Sequence, residues 1–147
     1  MKRFFLLLFI ILAIGFTEAS AQSGLNIEPL FTSDFTRDAR CKSTLIRGDR
    51  VAPFSLRLYR SLSLTGMPGA APQIEAKVRK DGARATDKEV SYKAGRLAYG
   101  FYTLPPAGGM NRYIFYLNSG ADSRNKIVLL YMEGEATAAE IRKMLKK

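Results

Sequence analysis

Between Ala98 and Gly134 the chain passes three times through segments rich in aromatic and β-branched residues, separated only by short loops. The segments are Ala98–Leu104, Asn111–Asn118 and Lys126–Gly134; Pro105–Gly109 and Ser119–Asp122 carry the loop chemistry. That composition suits a pleated surface, and connections this short join strands only in antiparallel fashion, so a meander is predicted. Tyr113, Phe115 and Leu117 share one face of the middle segment, against Arg112, Ile114, Tyr116 and Asn118 on the other. The last segment is apolar on both faces from Ile127 to Met132. A strand of that kind sits centrally with cover on both sides, or with one side against a partner.

Upstream, the clearest period of two lies in Pro53–Leu64, with Leu56, Leu58, Leu62 and Leu64 on one face and Ser55, Arg57, Tyr59, Ser61 and Ser63 on the other. Arg60 interrupts the apolar face. It is either an edge residue whose stem covers the core while its guanidinium reaches water, or a cation lining a cleft. A weaker strand is expected from Arg40 to Arg47, ending at Gly48-Asp49. Before it, Leu25–Phe31 reads as one helical turn packing Ile27, Leu30 and Phe31 onto the domain, with Pro29 suited to a first turn.

Gln73–Lys80 fits two templates. As a helix opened by Pro72 it sets Ile74 and Val78 four apart and spaces Glu75 for an ion pair with Arg79. As a strand it alternates Ile74, Ala76 and Val78 with charged residues and ends at Asp81-Gly82, a hairpin signal. The apolar stripe of the helix is thin, and the strand is preferred. Asp87–Leu104 reads as a hairpin turning at Lys93–Arg96, with Leu97, Tyr99 and Phe101 pointing one way and Ala98, Gly100 and Tyr102 the other. Small residues on that second face admit close approach by a helix or ligand. The chain closes on an amphipathic helix, with Thr137 and Glu140 at capping-box spacing, an Ile141, Met144 and Leu145 stripe, and basic residues in its last turn.

The amino terminus has Lys2-Arg3, a 13-residue apolar run from Phe4 to Phe16, and small residues at Ala19 and Ala21. These predict a signal peptide over 1–21, cleaved after Ala21, and a periplasmic or secreted protein. The run is shorter than the roughly 20 apolar residues of a spanning helix, so no permanent membrane span is expected. Residues 22–147 then form a single α+β domain: an antiparallel sheet of five or six strands with one or two helices on one face. Losing the leader takes the net charge from +10 to about +9, enough to attract anionic polymers without choosing among them.

Catalytic chemistry is sparsely supplied. The chain has no histidine, which removes histidine-based triads, histidine-ligated zinc and the usual proton shuttle near neutral pH. Cys41 is its one cysteine, so no internal disulfide forms; the thiol is expected to be buried and inert, the alternative being a thiolate favoured by Arg40 and Lys42. Asp87 with Glu89, and Glu133 with Glu135, are spaced as any same-face strand pair is, and spacing alone makes neither a glycosidase dyad nor a metal site. No cofactor is expected. The constellation that does suggest binding sets cations beside tyrosines: Arg57 with Tyr59, Arg96 with Tyr102, and Arg112 with Tyr116, a pattern suited to an acidic glycan or lipopolysaccharide groove.

Tyr99-Gly-Phe-Tyr102, Asn111–Tyr116, Leu130–Gly134 and the helix opened by Thr137, behind a leader ending Ala19-Ser-Ala-Gln22, carry a resemblance. The chain resembles a family of small exported proteins of unknown function from gut Bacteroidetes, over the last half of the mature sequence. The resemblance implies an envelope or secreted location and a compact domain, and it assigns no site residue. The sequence therefore predicts a non-enzymatic module that binds another envelope protein or a surface polymer, nucleic acid being disfavoured by export. The alternative is the anionic-ligand domain built on the six cation and tyrosine positions. A hydrolase built on Cys41 or the carboxylates is a third reading.

Overall fold

A computed structural model describes residues 24–120 and 124–146; the predicted signal peptide lies outside the described residues. Six strands form one antiparallel sheet: β1 (Cys41–Arg47), β2 (Leu56–Thr65), β3 (Asp87–Lys93), β4 (Arg96–Ala107), β5 (Met110–Asn118) and β6 (Lys126–Gly134). Their order across the sheet is β1-β2-β6-β5-β4-β3. The predicted meander is present as β4, β5 and β6, and β6 lies centrally between β2 and β5 as its two apolar faces require.

Helix α1 (Ala71–Gly82) carries the chain from β2 to the far edge, and α2 (Ala138–Leu145) closes it. The helix at Ala71–Gly82 corrects the strand preferred for Gln73–Lys80. Pro72 sits in its first turn, and Ala71, Ile74, Glu75, Val78, Asp81 and Gly82 form its buried side. Two of those buried positions are acids, which is why the apolar stripe looked thin.

The helices lie on opposite faces and not together on one. Ile74 and Val78 of α1 pack with Leu58, Leu62, Leu64, Ile114, Ile127 and Leu129, together with Ile27, Leu30 and Phe31 from a 3-10 turn at Glu28–Thr32. Ile141 of α2 packs instead with Phe101, Tyr113, Leu130 and Met132, the alternate residues of the same strands. A central strand that is apolar on both sides makes cover on both sides favourable, so each helix takes one face.

Two predicted faces change for a local reason. Leu56 joins the α2 side because the register slips between Leu56 and Leu58, and Leu97 joins the α1 side because it slips between Ser91 and Tyr92. A single extra residue reverses the alternation beyond it. The β3–β4 turn, Ala94-Gly95, has positive φ at both residues (51° and 77°), as a two-residue hairpin of this twist demands. Strand β4 also runs on through Pro105 and Pro106, which were expected to be loop, before turning at Gly108-Gly109.

Candidate functional site

Under α1 the sheet holds a cluster built around a buried acid. Glu75 is 4% exposed, and its carboxylate accepts hydrogen bonds from the Arg96 guanidinium (3.2 Å) and the Leu97 amide (3.3 Å), with Arg79 at 2.8 Å. The Arg79 guanidinium also lies 5.1 Å from the ring centre of Tyr92. Tyr102 and Tyr116 are buried in the same layer. Burial pushes both phenols up to about 12, with the Glu75 charge adding to the effect, so both are neutral across the physiological range.

Tyr102 shows why small residues surround it. A Cβ on Gly82 would stand 2.8 Å from ring carbon Cδ1 of Tyr102, and one on Gly100 would stand 2.6 Å from Cε2 on the opposite edge of the ring. Helix and strand thus hold the ring between two glycines. The close approach expected on the Ala98, Gly100 and Tyr102 face is made by Gly82 of α1. Asp81 anchors the amino-terminal segment: its carboxylate accepts from the Asn26 amide (2.8 Å), the Asn26 side-chain amide (2.8 Å) and the Ile27 amide (2.9 Å). These donors lie just before and at the cap of the 3-10 turn, so Asp81 fixes where that turn begins.

A cleft of about 480 Å³ opens beside this cluster, lined by Lys93, Arg96, Leu97 and Ala98 of the β3–β4 hairpin, Pro68 and Ala71 at the start of α1, and Asn118, Ser119 and Gly120. Arg96, Tyr102 and Tyr116 therefore come together around one region. Arg112 lies on the same face at the opposite end of α1, where its Nε donates to the Pro105 carbonyl (2.9 Å) and a cleft of about 340 Å³ also touches Asp81 and Arg84. Arg57 and Tyr59 belong elsewhere: Arg57 stands 4.0 Å from Glu135 at the irregular start of β2, and Tyr59 is half-buried against the α2-side core. The six positions do not share one surface.

Other singled-out residues have structural partners. Arg60 does not take the edge position expected of it: β2 pairs with both β1 and β6, and the half-buried guanidinium lies 5.0 Å from the ring centre of Phe31. Cys41 is half-buried at the start of β1, and desolvation, then the Asp38 charge, push its thiol up and away from thiolate. Asp87 and Glu89 each lie 3.5 Å from Arg142 of α2, whose guanidinium covers Phe101 at 5.0 Å. Glu133 accepts from the Tyr131 hydroxyl (2.7 Å). Among the described residues no three histidine, cysteine or acidic side chains group to hold a metal, and no helix is long and apolar enough to cross a membrane.

The α2 face is built differently. Thr137 caps α2 by accepting the Glu140 amide (3.2 Å), and the Tyr113 hydroxyl donates to the Ala136 carbonyl (2.6 Å), pinning the helix over one end of the sheet. Eight residues of helix reach only about 12 Å. Beyond it, Tyr99 on β4, Leu117 on β5 and Val128 on β6 are register partners in one row. They are half-buried, as is Phe115, whose ring meets Tyr99 edge-on at 5.6 Å.

A family model for a family of unknown function, DUF6108, matches residues 14–145. The chain belongs to that family. The match covers β1 to β6 and the whole of α2 without assigning a residue a role. No curated protein and no solved structure matches the chain.

Proposed function

We propose that this member of the DUF6108 family is an exported, non-catalytic module that binds another protein through the open end of its α2 face. The observation that carries the reading is the half-buried row of Tyr99, Leu117 and Val128 with Phe115 behind it. Aromatic and aliphatic side chains on a rigid sheet form a low-entropy anchor of the kind that interfaces favour. The acids best placed for chemistry support it too: Glu75 and Asp81 each have their oxygens occupied by donors that hold the fold together. Export rests on the leader-like amino terminus.

The test compares wild type with Leu117→Asp, using the immobilised chain and solubilised envelope proteins in one arm and an acidic polysaccharide in the other. Protein retention that survives 0.5–1 M salt (about three to seven times the physiological level) and is lost in Leu117→Asp supports the proposal. Salt-labile polysaccharide binding that is equal in both forms, without protein retention, overturns it in favour of the basic surface. Turnover of a defined small molecule by the purified chain would also overturn it.

A further inference from the structure

The two edges of the sheet differ in a way that points to a partner for one of them. Strand β3 is exposed at all seven of its residues and, among the described residues, pairs only with β4. It presents Val90 and Tyr92, at 36% and 54% exposure, on the side that carries α1. An open edge of this length is a template for another strand. Its charges are arranged so that the strand is complementary to itself run in reverse.

We propose that β3 pairs antiparallel with β3 of a second copy of this chain, about a two-fold axis at Val90, joining two six-stranded sheets into one. In that register Asp87 faces Lys93 of the copy and Lys93 faces its Asp87, Lys88 faces Tyr92 on the α1 side, Glu89 faces Ser91, and Val90 meets Val90. Residues opposite one another in an antiparallel pair share a face, so both charge pairs and both lysine–tyrosine contacts form across the axis. Centring on Glu89 would set two carboxylates face to face, and centring on Ser91 would engage only five of the seven residues. Arg142 of the same chain lies 3.5 Å from both Asp87 and Glu89, so it partly neutralises Glu89 and shares Asp87 with the copy's Lys93.

The other edge lacks this property. Reversed about Thr44, β1 sets Cys41 against Arg47 and Lys42 against Ile46. Its only charges, Lys42 and Arg47, are positive and neither meets an acid in that register, so no charge pair within the strand favours a copy there. The inference is independent of the aromatic row, which lies on a sheet face and not at this edge.

Sedimentation of the purified chain over a range of concentrations tests it, alongside Asp87→Lys, Lys93→Asp and the double variant. Each single charge reversal is expected to weaken dimerisation about tenfold or more, because two pairs are lost by symmetry, and the double reversal is expected to restore it. Lys42→Glu on the opposite edge should leave dimerisation unchanged or improve it slightly. Near-UV circular dichroism of each variant checks the fold; if a charge variant fails to fold, Val90→Lys replaces it and is expected to abolish the dimer. A wild-type chain monomeric up to about 1 mM overturns the proposal. So does a dimer indifferent to the single reversals, or single losses that the double reversal does not repair.

Discussion

The two faces of the sheet are covered by one helix each, yet they are held by different physics. The α1 face carries its acids inside: Asp81 collects three donors from the distant amino-terminal segment, Glu75 collects Arg96 and Leu97 from β4 with Arg79 from its own helix, and Tyr102 is held between two glycines. The α2 face has apolar packing, one capping threonine, hydrogen bonds from Tyr113 and Asn111 to the carbonyls leading into α2, and a half-exposed cation bridging to β3. Buried charges with fixed donors specify a single arrangement, because removing one partner leaves the others desolvated and unmatched. Packing alone is more forgiving. The sealed face therefore fixes the fold, and the lightly covered face is the one free to serve a partner.

The comparison breaks most directly at Asp81. Asp81→Ala strands the Asn26 and Ile27 amides and should cost about 3–4 kcal/mol, freeing the amino-terminal segment to proteolysis. Ile141→Ala under α2 removes a fully buried side chain but no charge, and should cost about 2 kcal/mol. Equal losses for the two in denaturant titration would erase the distinction between the faces. Gly100→Ala sharpens it: the Tyr102 ring cannot retreat without meeting Gly82, so about 2 kcal/mol is expected from overpacking alone. A combined Gly100→Ala and Tyr102→Leu variant should recover part of that loss.

The smallest effect is in alkali. Tyr102 and Tyr116 ionise near 10 when the chain is unfolded and near 12 when folded. Their contribution is fully present below pH 10 and is lost as pH climbs from 10 to 12, reaching about 1 kcal/mol each by pH 11. Tyrosinate absorbance should therefore rise together with the loss of near-UV signal above pH 10. A smooth titration of all tyrosines near 10 with the fold intact would show that the α1 face is wetter than its geometry indicates.

The strands could be read from the chain because alternation is local. Leu58, Leu62 and Leu64 face the core together, and the double-sided apolar run from Ile127 to Met132 predicted a central strand before any neighbour was known. Helix α1 is one of the two templates the sequence offers, and it reads as the weaker because its buried side includes Glu75 and Asp81. An acid reads as solvent-facing until its partners are seen, and those partners lie at Asn26, Ile27, Arg96 and Leu97. The shifts that turned Leu56 and Leu97 to the other face depend on pairing with another strand, which no single segment reveals. The same limit applied to the cation and tyrosine positions. Arg96, Tyr102 and Tyr116 come together under α1, whereas Arg57 and Tyr59 are carried away because β2 presents them on the other side.

The strand order places the sixth strand in chain order between the second and the fifth. Until β6 arrives, the β1–β2 hairpin and the β3–β4–β5 meander are two separate pieces, each with an apolar flank that nothing satisfies. Contacts that span so much of the chain close slowly, and nascent intermediates with bare flanks are prone to aggregation. A growing polypeptide of this kind stays unfinished until β6 has emerged, and so stays available until then to whatever machinery handles unfolded chains.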